Sequence, residues 1–374
     1  MSELEKLGMT DHASRRRGGG LRRLIIPGLG VPFVYLVLRN AYYFSQGMLD
    51  PDFEVIHRAY DFNLGELPLT LLALAALAFG CGLIRPLLRR AAFLIGFLYV
   101  FFAADLWILR HYVSEVEPER LVVRSVRLET PKLERPVRLL HLTDIQSGGL
   151  GEYESGLFER IRELRPDLIV YTGDFLQPVP PATFAGEWPK LLDLFRSVAP
   201  PLGVYAVFGD TERELYGLRP EAIEPIRMLS SRSATIAVHG GALSLHGLSL
   251  YQSNEPEWAE RTVAQWLERS DPAAFRILLG HSPNFALGMK EQPIDLCLAG
   301  HTHGGQVRLP WIGPLVIDSE VPKEWSRGFR RIGLPYLNVS AGAGSNRFGG
   351  LPPVRFNCPT EMTLIELVPM RGIN

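Results

Sequence analysis

The spacing of apolar residues changes character near residue 120. Ahead of that point, hydrophobic residues run on with few breaks. Leu67 to Ile84 (LPLTLLALAALAFGCGLI) has no charge, and Ala91 to Leu109 (AAFLIGFLYVFFAADLWIL) has Asp105 alone. Each approaches the roughly 20 residues that carry a helix across a bilayer. An earlier run, residues 24–44, is apolar but contains Pro27, Pro32 and Arg39. The pattern predicts about three transmembrane helices, over 24–44, 67–84 and 91–109, within a membrane region of residues 24–113. A cleaved leader has one short apolar core, so three successive runs argue for an anchor. Arg39 and Asp105 sit near span ends, where long side chains reach water, and do not suggest a transport path.

From Pro136 onward the rhythm shortens. VRLLHLTD, DLIVYTGD, GVYAVFGD, FRILLGHSPN and DLCLAGHTH read as strands, each closing on a polar residue beside glycine or a turn. YESGLFERIREL and WPKLLDLFRSV have apolar positions at helical spacing. Strands alternating with helices predict an α/β domain. LPYLNVSAG and EMTLIELV read as late strands without helices between them, which makes the sheets mixed. Residues 1–23 read as a basic cytoplasmic N-terminus, 114–135 as a linker and 136–374 as the α/β domain.

Charge placement adds an orientation. Arg15, Arg16, Arg17, Arg22 and Arg23 precede the first run, and Arg85, Arg89 and Arg90 crowd the link between the other two. Asp50, Asp52, Glu54, Asp61 and Glu66 lie between the first and second. Basic loops stay cytoplasmic, so the third span delivers the α/β domain to the extracytoplasmic face of a multi-pass protein in the cell membrane. The net charge of −1 over 374 residues gives no electrostatic case for binding a nucleic-acid duplex. Three cysteines, Cys81, Cys297 and Cys358, are too few for a disulfide framework and read as buried thiols.

The strand ends carry the candidate chemistry: Asp144, Asp174, Asp210, His281, His301 and His303. Ends of α/β strands gather in one crevice. Side chains at i and i+2 of an extended segment share a face, which would aim His301 and His303 at one site. Gly304 and Gly305 then allow a sharp exit. Three carboxylates and three imidazoles in one crevice need compensation, because buried charges are paired or bind metal. A binuclear metal site is the simplest form of it.

In order along the chain, LTDIQSGG, YTGDFLQ, VFGDTE, LLGHSPN and LAGHTHGGQ resemble the calcineurin-like metallophosphoesterases, most of all their membrane-anchored bacterial branch. The closing VRFNCPTEMTLIEL, with Arg355 and Asn357, resembles that branch's last strand, and the likeness spans roughly Pro136 to Val368. It implies a sandwich of two mixed β-sheets flanked by helices, preceded by the helical transmembrane region. It also implies two divalent ions (Mn, Fe, Zn or Mg) and a hydrolase acting on phosphodiester or diphosphate bonds through a metal-activated water. Lipid-linked and nucleotide substrates are the candidates.

Carried over position by position, the resemblance assigns one metal to Asp144, Gln146, Asp174 and His303. The second goes to Asp174, Asp210, His281 and His301. Asp174, Asp210 and Thr211 fall at the catalytic positions. Three of these positions depart from the family pattern. Gln146 replaces a histidine, which favours oxygen-preferring metals. Asp210 replaces an asparagine and adds a charge. Thr211 replaces the histidine that acts as general acid, a group worth about 10²–10⁴ in rate. Two readings follow. Either the leaving group needs little protonation, or the domain is catalytically impaired and serves as a metal-binding or interaction module. Glu212, His239 and His246 are residues that could stand in for the missing acid, but nothing in the sequence places them in the crevice, and His239 and His246 read as surface or packing residues. Arg347 and the segment Glu320–Arg331 read as solvated loop, and His141 reads as a buried, hydrogen-bonded residue.

Overall fold

The computed structural model describes residues 28, 30–45, 52–348 and 350–370. The basic stretch 1–23 and residues 24–27 of the first apolar run lie outside the described residues. The chain divides into two compact units, Met1–Tyr112 and Val113–Asn374.

The first unit is helical: α1 (residues 30–45), α2 (Glu54–Tyr60), a π-helical turn at Asp61–Glu66, α3 (Leu67–Ile84) and α4 (Arg89–His111). Two continuous helical stretches, Glu54–Ile84 and Arg89–Val116, are long and apolar enough to cross a membrane, each with mean hydropathy 2.2. Leu67, Leu71 and Ala75 of α3 pack with Tyr99 and Ala103 of α4. Glycines on each helix make room for an aromatic ring of the other. A Cβ on Gly96 would meet the Phe79 ring at 2.5 Å, and one on Gly82 would meet Phe93 at 2.7 Å. Asn40 of α1 and Asn63 of the π-turn exchange amide hydrogen bonds at 2.9 and 2.6 Å, so both polar groups are satisfied. Cys81, expected buried, is exposed: α3 is apolar around its whole circumference, and so its sequence does not mark a buried face.

The second unit is a sandwich of two six-stranded mixed sheets. The first has the order β1-β14-β2-β3-β4-β5, built from β1 (Val122–Thr130), β2 (Val137–Leu142), β3 (Leu168–Tyr171), β4 (Val204–Ala206), β5 (Ile226–Met228) and β14 (Glu361–Pro369). The second has the order β12-β13-β9-β8-β7-β6, from β6 (Arg232–Val238), β7 (Gly241–Gly247), β8 (Phe275–Leu279), β9 (Leu296–Ala299), β12 (Gly328–Arg331) and β13 (Tyr336–Val339). β2, β3 and β4 run parallel, as do β7, β8, β9 and β13. A two-stranded hairpin, β10 (Arg308–Leu309) and β11 (Gly313–Pro314), stands apart from both sheets.

Leu139, Leu168 and Val170 of the first sheet pack against Leu245, Ile277 and Leu298 of the second. The outer face of the first sheet carries α5 (Glu152–Leu164) and α6 (Phe184–Val198), whose Phe158 and Phe195 join its core. The outer face of the second carries α8 (Pro256–Arg269), which follows the short α7 (Leu250–Asn254), through Val263 and Trp266. Each central strand is therefore covered on both sides, and LIVY of β3 and LCLA of β9 are buried throughout. The stretch 114–135, expected to be a linker, contains β1 in parallel register with β14, Val122 opposite Glu361. Five charged or hydroxyl side chains in VVRSVRLET mask its strand character, and its partner is nearly the whole domain away in sequence.

Candidate metal centre

The parallel strands of both sheets end around one crevice. Asp144 follows β2, Asp174 follows β3 and Asp210 follows β4; His281 follows β8, and His301 and His303 follow β9. At these ends the chain turns abruptly. Positive φ occurs at Asp144 (50°), Gln146 (37°), Asp174 (64°), His301 (67°) and His303 (47°). Left-handed backbone at non-glycine residues costs about 1–3 kcal/mol each and concentrates at functional sites. The extended geometry expected for His301–His303 is absent, because β9 stops at Ala299 and His303 opens a 3-10 turn through Gly305. The two imidazoles consequently enter different groups.

The first group is Asp144, Asp174 and His303, all buried; the second is Asp210, His281 and His301. Within each, the candidate ligand atoms lie within 4.8 Å of one another. His303 Nε2 is 3.7 Å from Asp144 Oδ1. Asp210 Oδ2 is 3.2 Å from His281 Nε2 and 3.0 Å from His301 Nδ1. Asp174 adjoins both groups, its Oδ2 lying 3.6 Å from His281 Nε2. Asp174 Oδ1 accepts the backbone N–H of Asp210 at 2.6 Å and of Thr211 at 3.0 Å, and its Oδ2 accepts Gln146 Nε2 at 2.5 Å. Asp210 is half-exposed at the mouth. There is no room at the floor: a Cβ on Gly209 would fall 2.3 Å from Asp174 Oδ1.

The charge balance of the pocket calls for a cation. Burial, reinforced by Asp174, pushes the Asp144 carboxyl up to about 6 despite His281 nearby. Burial would lower the His281 imidazole, but Asp174, Asp210 and Asp144 hold it well above its ordinary value. Burial and the Arg355 guanidinium hold His303 well below, neutral and able to donate a lone pair. Gln146 Oε1 is buried without a hydrogen-bond partner among the described residues. An orphaned amide oxygen beside three carboxylates and three imidazoles is a fit for divalent metal.

A second layer holds these groups. His281 Nδ1 donates to Thr172 O at 2.7 Å, which turns its Nε2 toward the crevice. His141 is fully buried beneath, bonded to Thr172 Oγ1 (2.9 Å) and to Asn338 Nδ2 of the opposite sheet (2.7 Å). Arg355, also fully buried, donates to Ala341 O (2.6 Å), Cys358 O (2.9 Å) and Ser345 Oγ (2.7 Å), with Nη2 3.4 Å from His303 Nδ1. Glu212 is buried too. It accepts Phe175 N at 2.6 Å, the Thr211 hydroxyl at 3.0 Å and Gly209 N, so one side chain ties the β3 and β4 loops together. Burial and the Asp174 charge push its carboxyl up to about 7.

Of the other candidate residues, His239 is exposed at the β6–β7 turn, and His246 is buried between Ser233 and Trp266, so neither enters the crevice. Arg347, expected to be solvated, is partly buried with Nη1 2.6 Å from Gln146 O. The roles of Thr172 and Asn338 left no signal in the sequence, since both act only through non-local hydrogen bonds.

A profile of the calcineurin-like phosphoesterase family matches residues 137–305. The chain is 30% identical over 213 residues to an uncharacterized metallophosphoesterase, YkuE, of Bacillus subtilis, covering 55% of this chain and 70% of that one. It is 29% identical to the phosphodiesterase YaeI of Escherichia coli, covering 55% and 72%. It is 24% identical to the UDP-2,3-diacylglucosamine pyrophosphatase LpxG of Chlamydia muridarum, covering 54% and 74%.

Proposed function

The chain belongs to the calcineurin-like metallophosphoesterases, a family of phosphoester hydrolases, and on that premise we propose that it is a membrane-anchored, two-metal phosphodiesterase or pyrophosphatase. The observation that carries this reading is that Asp174, a member of the first three-residue ligand group, reaches to 3.6 Å from His281 of the second. Asp144, Gln146, Asp174 and His303 would hold one ion; Asp174, Asp210, His281 and His301 the other. Two divalent ions at such a centre polarise the phosphoryl group and lower the pKa of bound water.

The protein's own residues set what remains. Gln146 offers an oxygen where an imidazole would be softer, which favours Mn²⁺ or Mg²⁺ in the first position. Thr211 has no acidic proton near neutral pH, and its hydroxyl is engaged by Glu212. The leaving group therefore departs without a proton from this position, which suits phosphoanhydrides and activated diesters. The likeness to a pyrophosphatase whose name gives a diacylated nucleotide sugar supports a lipid-linked diphosphate as substrate. The two apolar helical stretches would serve as the anchor. Arg85, Arg89 and Arg90 would place the link between them in the cytoplasm and the catalytic unit outside it.

The test is hydrolysis of bis-p-nitrophenyl phosphate by the purified full chain with Mn²⁺. Metal-dependent turnover is expected. No turnover of any activated diester, with metal bound, would instead establish an impaired, metal-binding module. Protease treatment of spheroplasts checks the orientation, and a catalytic unit protected until lysis reverses it.

A further inference from the structure

The β10–β11 hairpin does something that neither the sheets nor the metal centre requires. From Leu309 to Ile317 the sequence LPWIGPLVI has no charged residue and no hydrogen-bonding side chain except the Trp311 indole. Pro314, Val316 and Ile317 are buried beneath it. The tip is the reverse: Trp311 is 103% exposed and Ile312 66% exposed. Hairpin tips in water are normally built from glycine, asparagine, aspartate and serine, which satisfy their own turns. Here an aromatic and a β-branched residue occupy that place, with Pro310 before them, and Trp311 holds φ at 63°.

The hairpin is also fixed to the metal centre. It leaves the His303–Gly305 turn through Gln306 and Val307, which bridges to Phe356. Arg308 donates to Gly304 O at 2.7 Å and Asn357 to Arg308 O at 3.4 Å. A Cβ on Gly305 would meet Pro314 at 2.4 Å, so the returning strand lies directly on the turn.

We propose that the Trp311–Ile312 tip is a membrane contact that inserts into the lipid–water interface and presents the crevice to substrate held in the bilayer. The proposal rests on the reading of the two long apolar helices as membrane spans, which puts a bilayer within reach of this chain. Tryptophan beside an aliphatic residue is the chemistry of that interface: an apolar body to bury and one N–H to leave hydrated. A rigid tip of this kind adds affinity by buried apolar area without needing a helix.

The experiment uses the full chain carrying Cys81→Ser and Ile312→Cys, with a nitrobenzoxadiazole label on the new thiol. Cys297 and Cys358 are buried and stay unlabelled. The protein is reconstituted in nanodiscs of phosphatidylcholine and phosphatidylglycerol, with Gln265→Cys on α8 as the exposed control. The expected result is blue-shifted emission, a several-fold smaller iodide quenching constant than at position 265, and quenching by lipid-borne nitroxide. Equal iodide quenching at 312 and 265, with no effect of the nitroxide lipid, overturns the proposal. The anchor is read separately, by carbonate extraction of membranes. Release of the chain there defeats the anchor reading, whereas retention with a water-exposed label defeats only the hairpin.

Discussion

Asp174 Oδ1 accepts the backbone N–H of Asp210 at 2.6 Å, so the end of β3 grips the end of β4 through the carboxylate that stands between the two ligand groups. Asp174→Ala removes both the grip and the shared ligand. Losing an outer partner of a metal ligand already costs about 10–100-fold, so bis-p-nitrophenyl phosphate turnover is expected to fall by more. Elemental analysis should show metal lost from both positions. Retention of two equivalents would contradict a shared role.

Gln146→His replaces the orphaned amide oxygen by imidazole nitrogen. The variant should keep, through dialysis against a chelator, an equivalent of Zn²⁺ that the native protein loses. Unchanged metal retention would mean that position 146 does not face an ion.

Thr211→His places a titratable group next to Asp210. Activity toward alkyl phosphodiesters, whose leaving groups need a proton, is expected to rise by about ten-fold or more, with little change for nitrophenyl diesters. Equal gains on both would point to improved binding rather than proton donation.

Glu212→Ala leaves the buried N–H groups of Phe175 and Gly209 without an acceptor. At about 1–3 kcal/mol per orphaned group, the loss is about 3 kcal/mol, or a fall in Tm of roughly 6–12 °C for a unit of this size. Glu212→Gln keeps one acceptor oxygen and should lose less. A Tm unchanged in both variants removes the cross-tie.

His246, with Nδ1 2.8 Å from Ser233 Oγ and its ring stacked on Trp266, is pushed by burial down to about 4. Its folded value lies below the unfolded 6.5, so the unfolded state binds the extra proton first. The stability is therefore complete above about pH 6.5 and is lost as pH falls toward 4, by up to about 3 kcal/mol. Thermal unfolding of His246→Gln against the native chain should show a flatter acid limb. Parallel limbs would refute the assignment.

The strand ends were legible because a buried parallel strand is a short apolar run, and β2, β3, β4, β8 and β9 each stop at a glycine or turn beside a polar residue. The direction of the side chains was not. Period-two reasoning holds only while the chain is extended, and the left-handed backbone at His301 and His303 sends their rings to separate groups. β1 escaped notice for a different reason: its apolar residues are interleaved with Arg124, Arg127 and Glu129, and it becomes a strand through pairing with β14. Glu212 was visible as a carboxylate beside Thr211, and Gly209 and Thr211, two of its donors, are its sequence neighbours, but the third, Phe175 N–H, lies 37 positions away and only folding brings it near.

The carboxylates of the crevice all descend from one sheet of the sandwich and the imidazoles all from the other. Any ion seated there is thus a rivet across the seam between two independently hydrogen-bonded layers. Stripping it should loosen the mouth of the sandwich first, so that hydrogen exchange quickens at the loops after β4 and β9 while the far edge strands keep their protection.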